Sequence, residues 1–296
     1  APIPGAGFFV SERFSMSADQ TSKSSPASLV ILGGGNLGQA LARGLVRSGT
    51  LPPDQIHVTS LHLPGLEGLA AEGFPVGSDN LAAIRAADTL LIAVQPQQIA
   101  DLLDEIRDHL DPSRHKVISV VSGVTVAQLR DMIPAPTPVV RAMPNTAVSI
   151  GESMTCLSAD SDSIDGLEEA EALFKGVGLT LRIEDEMMVG ATALCACGIA
   201  FFLRSVRAAS QGGIEIGFHP EDALLLAAQT ARGAASLALG KEGHPESEID
   251  RVTTPRGCTI AGLNEMEHQG FSSAMIKGFV LSARKAGVLF DEGDTA

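Results

Sequence analysis

Residues 28–49 read "SLVILGGGNLGQALARGLVRSG", and this stretch decides the fold. Its first part is a short apolar run closed by glycine, the pattern of a strand buried on both faces. Its last part carries apolar residues at helical spacing and stops at Gly49. Between the two, Gly33, Gly35 and Gly38 stand in G-x-G-x-x-G spacing, with Asn36 and Leu37 inside the loop. Glycines there permit a tight turn and close approach of backbone, while the helix N-terminus faces a pyrophosphate. The pattern is common by itself. Set between a strand and a helix, it predicts dinucleotide binding.

The same alternation continues outward. "QIHVTS" (55–60), "TLLIAVQP" (89–96), "KVISVVSG" (116–123) and "TPVVRAMPN" (137–145) read as strands. "LEGLAAEGF" (66–74), "QIADLLDEIRDHL" (98–110) and "VTVAQLRDMI" (124–133) read as helices between them. Continuous apolar strands alternating with helices predict an α/β fold, a Rossmann-type, doubly wound, mostly parallel sheet. After about residue 185 no strand pattern remains, and long helical patterns cover 186–212, 220–240 and 259–289. The expected division is 28–185 for the dinucleotide-binding domain and 186–296 for an all-helical domain. Residues 1–27, rich in Ser, Pro and Ala, read as a disordered leader rather than a signal peptide, with Met16 a candidate natural start.

Composition narrows the function. The 296 residues are 45% apolar and 19% charged, with 35 acidic against 21 basic side chains and a net charge of −14. Nucleic acid and anionic membrane surfaces call for clustered Lys and Arg, so neither is an expected partner. The absence of Trp and Tyr also weakens any reading built on base stacking. Cys156, Cys195, Cys197 and Cys258 form no CxxC pair and no zinc set, which predicts reduced thiols, a cytoplasmic protein and no metal. The 17 uncharged residues 187–203, "MMVGATALCACGIAFFL", are at the short edge of a spanning helix and read as a buried interface helix instead.

The second strand ends without the carboxylate that usually grips an NAD ribose. Thr59 and Ser60 stand there and can hydrogen-bond a 2′-phosphate, so NADPH is favoured, with NADH left open. Asn80, the strand ends Ala93, Val94, Gln95 and Pro96, and Met143 with Asn145 complete the expected cofactor-binding set. Those strand ends lie at the carboxyl edge, where open α/β sheets bind ligands. Asn145 either presents its amide near the nicotinamide or satisfies a turn.

Several stretches, in order, carry a resemblance: "GGGNLGQAL", "AVQPQ", "VVRAMPNTAVSIGE", "DALLLAAQTARGAASL", and "EGHPESEIDRVTTPRGCTIAGL". Through them the chain resembles the pyrroline-5-carboxylate reductases over residues 29–290. The resemblance implies NAD(P)H-dependent reduction of 1-pyrroline-5-carboxylate to L-proline, the last step of proline biosynthesis. It also implies that the helical domain dimerises, and that dimers assemble into larger rings in many members. Two departures stand out. "CACGIA" (195–200) replaces a family Ser-Gly-Ser-Gly-Pro-Ala run, and Arg256 replaces a glycine of the late motif.

In the late motif, Thr253 or Thr254 is expected to cap a helix with Pro255 near its first position. Backbone N–H groups of Gly257, Cys258 and Thr259 would then face a substrate carboxylate, with Thr254 and Arg256 beside them. By resemblance, Thr259 is the catalytic candidate, hydrogen-bonding the ring nitrogen, and Glu242 reaches the substrate from a partner chain. His57, His62, His115 and His268 belong to no constellation and read as ordinary histidines. Two other readings stay open: a reductase of a related cyclic imine or hydroxyacid, and a non-catalytic NADPH-binding protein.

Overall fold

The computed structural model describes residues 29–240 and 244–288. The expected leader, Glu242 and the end of the helical pattern at 289 lie outside the described residues. Eight strands form one sheet: β1 (Leu29–Leu32), β2 (Ile56–Thr59), β3 (Val76–Gly77), β4 (Thr89–Ile92), β5 (Lys116–Ser119), β6 (Val139–Met143), β7 (Ser153–Ala159) and β8 (Gly178–Arg182). Their order is β3-β2-β1-β4-β5-β6-β7-β8. β1 to β6 run parallel; β7 is antiparallel to β6, and β8 is parallel to β7.

Six helices accompany the sheet: α1 (Asn36–Arg47), α2 (Glu67–Ala71), α3 (Asn80–Arg85), α4 (Ile99–Ile106), α5 (Val126–Met132) and α6 (Ile164–Lys175). The alternation along β1 shows how both faces are covered. Leu29 and Ile31 enter a core with Leu41 and Leu45 of α1 and Phe174 of α6. Val30 and Leu32 enter another with Ile84 of α3, Leu103 of α4 and Leu129 of α5. Each such fully buried side chain contributes about 1.5–3 kcal/mol.

The five strands expected from the sequence are all present. Three strands, α3 and α6 were not expected. β7 hides its strand pattern because its buried positions include Ser153, Thr155 and Ser158, with the first two hydroxyls 3.3 Å apart. β8 hides its pattern at the sheet edge, where Leu179 and Leu181 are exposed. β3 is only two residues long.

Beyond β8 the described chain is helical: α7 (Met188–Ala191), a π-helical turn (Thr192–Cys197), α8 (Gly198–Glu215), α9 (Pro220–Ala238), α10 (Pro245–Val252), α11 (Cys258–His268) and α12 (Phe271–Ala286). The helix expected over 259–289 is thus two helices. Gly270, at φ 81°, turns the chain between them. In α8 to α12 the buried residues are Gly198, Ser210, Ala223 and Ala286, all small. Large apolar side chains stay outside, among them Phe202 (57% exposed), Leu203 (63%) and Leu225 (68%). The stretch 187–203, expected to be a buried interface helix, is mixed within one chain: Met188, Ala191, Thr192, Ala193 and Gly198 are buried, while Met187, Leu194, Phe202 and Leu203 are exposed; the helix running from Asp185 to Glu215 is long and apolar enough to cross a membrane by length and composition. Helices with this much apolar surface need a further covering layer.

Candidate active site

The glycine turn is built as the sequence predicts. Gly33 has φ 117°, and a Cβ there would lie 2.6 Å from the Ala93 carbonyl group. A Cβ on Gly38 would lie 2.1 Å from the Gly33 carbonyl oxygen, so only glycine lets α1 start this close to β1. Gly35 differs: a Cβ there would meet nothing within 4 Å. Gly35 is the N-cap of α1 in extended conformation, and no side chain caps the helix. Open space over unpaired N–H groups is what an approaching pyrophosphate needs. The residues therefore fit a dinucleotide. The turn opens into a cleft of about 490 Å³ lined by Leu32 to Gly35, Thr59 to His62, Asn80, Ala93 to Gln95, Gln98, Asp101, Leu102 and Glu105.

At the β2 end, the side chains differ from expectation. Thr59 is 1% exposed, and its hydroxyl donates to Asn80 Oδ1 at 2.7 Å. Asn80 Nδ2 donates in turn to Glu105 Oε2 at 2.9 Å. Thr59 is thus committed inside the protein and shapes the wall through Asn80, which corrects its role as a direct phosphate contact. Ser60 Oγ accepts the His62 N–H at 3.2 Å and borders the cleft. His62, read from sequence as an ordinary histidine, is the one lining side chain able to carry positive charge. The signal for it was its place three residues after the β2 end, visible only once the β2 turn is drawn.

Pro96, Met143 and Asn145 do not line this cleft. Pro96 begins a short turn before α4 in which Gln98 Oε1 accepts the Gln95 N–H at 3.1 Å. Met143 and Asn145 belong to the joint between the sheet and the helices. Met143, Cys156, Met188 and Ala191 form a small core there, with Cys195 packed against it. Asn145 Oδ1 accepts the Ala147 N–H at 3.0 Å, and Nδ2 donates to the Cys195 carbonyl at 3.3 Å. The amide thus satisfies a turn and ties it to the π-helical turn; of the two readings left open, the turn is the one observed.

Sequence reasoning missed a second tie at the joint. Arg141 of β6 is buried, and its Nη1 donates to Asp185 Oδ1 at 2.9 Å. Asp185 Oδ2 accepts the Val126 N–H at 3.0 Å, at the start of α5. A buried cation has to find a carboxylate, but nothing in the sequence pairs these positions.

The late motif is a turn followed by a helix start, shifted from the expected place. Thr253 ends α10, its hydroxyl donating to the Ile249 carbonyl at 2.7 Å. The Gly257 N–H donates to the Thr254 carbonyl at 2.9 Å, and α11 begins at Cys258 with Gly257 as N-cap. So neither threonine caps the helix, and Pro255 lies in the turn. The cause is the tightness of this turn: a Cβ on Gly257 would lie 2.5 Å from Thr254 Oγ1. Arg256 is left-handed at φ 62° and exposed. Cys258 and Thr259 occupy the first turn of α11, which has no side-chain cap. None of residues 254–259 lines the cofactor cleft.

Comparison with known proteins agrees with this division. Residues 28–123 match the family model described as NADP oxidoreductase, coenzyme F420-dependent, and residues 185–289 match pyrroline-5-carboxylate reductase dimerisation. Pyrroline-5-carboxylate reductase 2 of Dictyostelium discoideum is 48% identical over 274 residues, covering 87% of this chain and 91% of that protein. The chain belongs to the pyrroline-5-carboxylate reductase family. Pyrroline-5-carboxylate reductase 1 of the same organism is also 48% identical, over 89% of this chain, which spans half the length of that relative. A Coxiella burnetii pyrroline-5-carboxylate reductase superposes with TM-score 0.79 at 29% identity, covering 89% of this chain and 98% of that one. The Plasmodium falciparum enzyme, solved with NADP bound, shares the fold at TM-score 0.80 and 21% identity, over 89% and 98% of the two chains.

This reductase is an NADPH-binding enzyme whose glycine turn and helical motif sit on different halves of the chain. Among the described residues no group of three His, Cys, Asp or Glu is placed to hold a metal. α1 and α11 share one feature that the other described helices lack: each is opened by an extended glycine with no side-chain cap. Two such N-termini suit two anions, a pyrophosphate on the sheet half and a carboxylate on the helical half.

Proposed function

We propose that this reductase converts 1-pyrroline-5-carboxylate to L-proline through the two uncapped helix N-termini, α1 for the cofactor and α11 for the substrate. That pair of glycine-opened helices is the observation that carries the reading. The turn from Gly33 through Gly35, Asn36 and Leu37 to Gly38 holds the pyrophosphate. Ser60 and His62 border the adenosine ribose, while Asn80 holds the wall. Ala93, Val94 and Gln95 support the cofactor along the sheet edge, Pro96 begins the turn that holds Gln95, and Met143 and Asn145 fix the joint behind it.

Bound NADPH supplies the hydride for the imine carbon. The chain's own task is orientation and charge. The N–H groups of Gly257, Cys258 and Thr259 take the substrate carboxylate, with Thr254 and the Arg256 guanidinium at its flank. Thr259 is the catalytic residue: its hydroxyl orients the ring nitrogen, and the proton comes ultimately from water. Glu242 approaches from the partner chain.

The assembly is a homodimer in the cytoplasm, open to association into larger rings. Support comes from the exposed apolar side chains of α8 to α12 and from the dimerisation model matched over the same region. Residues 254–259 stand outside their own chain's cofactor cleft, so a second copy facing that cleft completes the site. The deciding experiment is a steady-state assay of the purified protein with 1-pyrroline-5-carboxylate and each nicotinamide cofactor. NADPH oxidation coupled to proline formation is expected. Cofactor binding without turnover of the imine would overturn the reading.

A further inference from the structure

Two of the four cysteines meet at the joint. Cys156, on β7, is buried, and its strand partner across the antiparallel pair is Met143. Cys195 is half-buried in the π-helical turn. Their sulfurs are 3.9 Å apart, although 39 residues separate them in sequence. The backbone of the same Cys195 accepts the Asn145 amide.

We propose that Cys156 and Cys195 form a redox-responsive dithiol, which a hydroperoxide converts to a disulfide that lowers turnover by displacing the joint. The hydrogen bond from Cys156 lowers Cys195 to about 7, whereas that same bond and burial push Cys156 up. Cys195 is therefore the attacking thiolate, and it is also the more accessible of the two. Its sulfur attacks the terminal peroxide oxygen, the O–O bond breaks, and an alcohol or water leaves after taking up a proton. Cys195 is then a sulfenic acid. The Cys156 sulfur displaces its hydroxyl, the S–S bond forms, and the Cys156 proton leaves with that hydroxyl as water. Two thiols have lost two electrons and two protons, and the hydroperoxide has gained them.

A disulfide needs its sulfurs about 2.05 Å apart, so closure draws them together by roughly 1.9 Å. A π-helical turn is the pliant place for that movement, because its backbone hydrogen bonds are already irregular. Moving Cys195 disturbs the 3.3 Å bond from Asn145 and shifts the start of α8. The cofactor cleft is built from residues 32–105 and stays in place. Turnover falls while NADPH affinity holds.

The test uses the full chain exposed to hydrogen peroxide and then mapped by mass spectrometry without reduction. A peptide joining Cys156 to Cys195, two hydrogens lighter than its reduced parts, is expected. It should accompany a fall in kcat of about a hundredfold, the scale that an ångström of misplacement produces, with the NADPH Kd unchanged. Dithiothreitol should restore the rate. The Cys156→Ala variant should keep its rate after peroxide, and Cys197→Ser should respond as the parent does. Oxidation that leaves Cys156 and Cys195 unlinked would overturn the proposal. So would a linked protein with undiminished kcat, or an equal loss in Cys156→Ala, which would place the loss on oxidation of Cys195 or the exposed Cys258 alone instead of on the link. If Cys156→Ala does not fold, the peptide map and rate of the parent protein still decide.

Discussion

Asp185 stands where the sheet hands over to the helices, and replacing it tests how the two halves are fixed. Its carboxylate serves two donors: Arg141 Nη1 at 2.9 Å and the Val126 N–H at 3.0 Å. The Arg141 side chain is 2% exposed against 24% for Asp185, and Arg141 Nε is buried without a partner. Asp185→Ala therefore leaves a guanidinium in the interior with no carboxylate, a change that costs about 3–5 kcal/mol. At 2–4 °C per kcal/mol for a domain of this size, the melting temperature should fall by about 6–20 °C. Asp185→Asn keeps the shape and one acceptor, and should lose about 1.5–3 kcal/mol, the worth of the charged hydrogen bond. The assay is thermal melting followed by circular dichroism at one protein concentration. Replacing both members separates lost charge balance from lost packing: Arg141→Met with Asp185→Ala should be more stable than Asp185→Ala alone. If Asp185→Ala melts within about 2 °C of the parent, a shift too small for an orphaned buried cation, the pair does not fix the joint.

Three further changes have directions set by the structure. Gly38→Ala puts a Cβ 2.1 Å from the Gly33 carbonyl oxygen, pushing α1 off the turn; overpacking of this kind costs about 1–3 kcal/mol, and calorimetry should show a weaker NADPH complex, an unchanged Kd refuting the role of the turn. Arg256→Gly suits the left-handed backbone at φ 62°, so stability should hold or rise, while KM for 1-pyrroline-5-carboxylate should rise roughly tenfold if a charged contact of about 1.5 kcal/mol is lost; an unchanged KM places Arg256 outside the carboxylate site. His115 is held below its usual 6.5 by burial first and the neighbouring Arg114 charge second. Because the folded form resists protonation, this group's contribution is complete above 6.5 and is lost as pH falls below it toward the folded value. Between about pH 7.5 and about pH 5.5 the parent should therefore lose more stability than His115→Gln, and equal losses would show that His115 is not the group responsible.

How much was legible in the sequence depended on whether a local pattern carried the information. β1, the glycine turn and α1 were readable because their strand, spacing and helix follow one another without interruption. β7 was not, since its inward positions are hydroxyl residues that pair with each other instead of apolar ones. Thr59 was assigned the right place and the wrong partner: chain position put it at the cleft, but only the fold brings Asn80 to its hydroxyl. The late motif was located correctly, but its helix start was misplaced, because the sequence gives no sign that Thr254 to Gly257 close a turn first. Arg141 with Asp185, and Cys156 with Cys195, are separated by 44 and 39 residues, and neither pair has a spacing rule.

Hydride transfer explains why those long-range pairs matter. Reacting atoms must be held about 3–3.5 Å apart, and small misplacements cost large factors in rate. Here the cofactor cleft comes from residues 32–105, while the turn proposed to take the substrate comes from residues 254–259 on helices with little core of their own. Apolar packing alone, through Met143, Cys156, Met188 and Ala191, would allow the halves to slide, since such contacts have no preferred direction. Directional ties remove that freedom. The Arg141–Asp185–Val126 bonds fix where the helical half begins, and the Asn145–Cys195 bond fixes the π-helical turn one step further along. The polar groups at this joint thus give precision to a site whose reacting parts no single element carries.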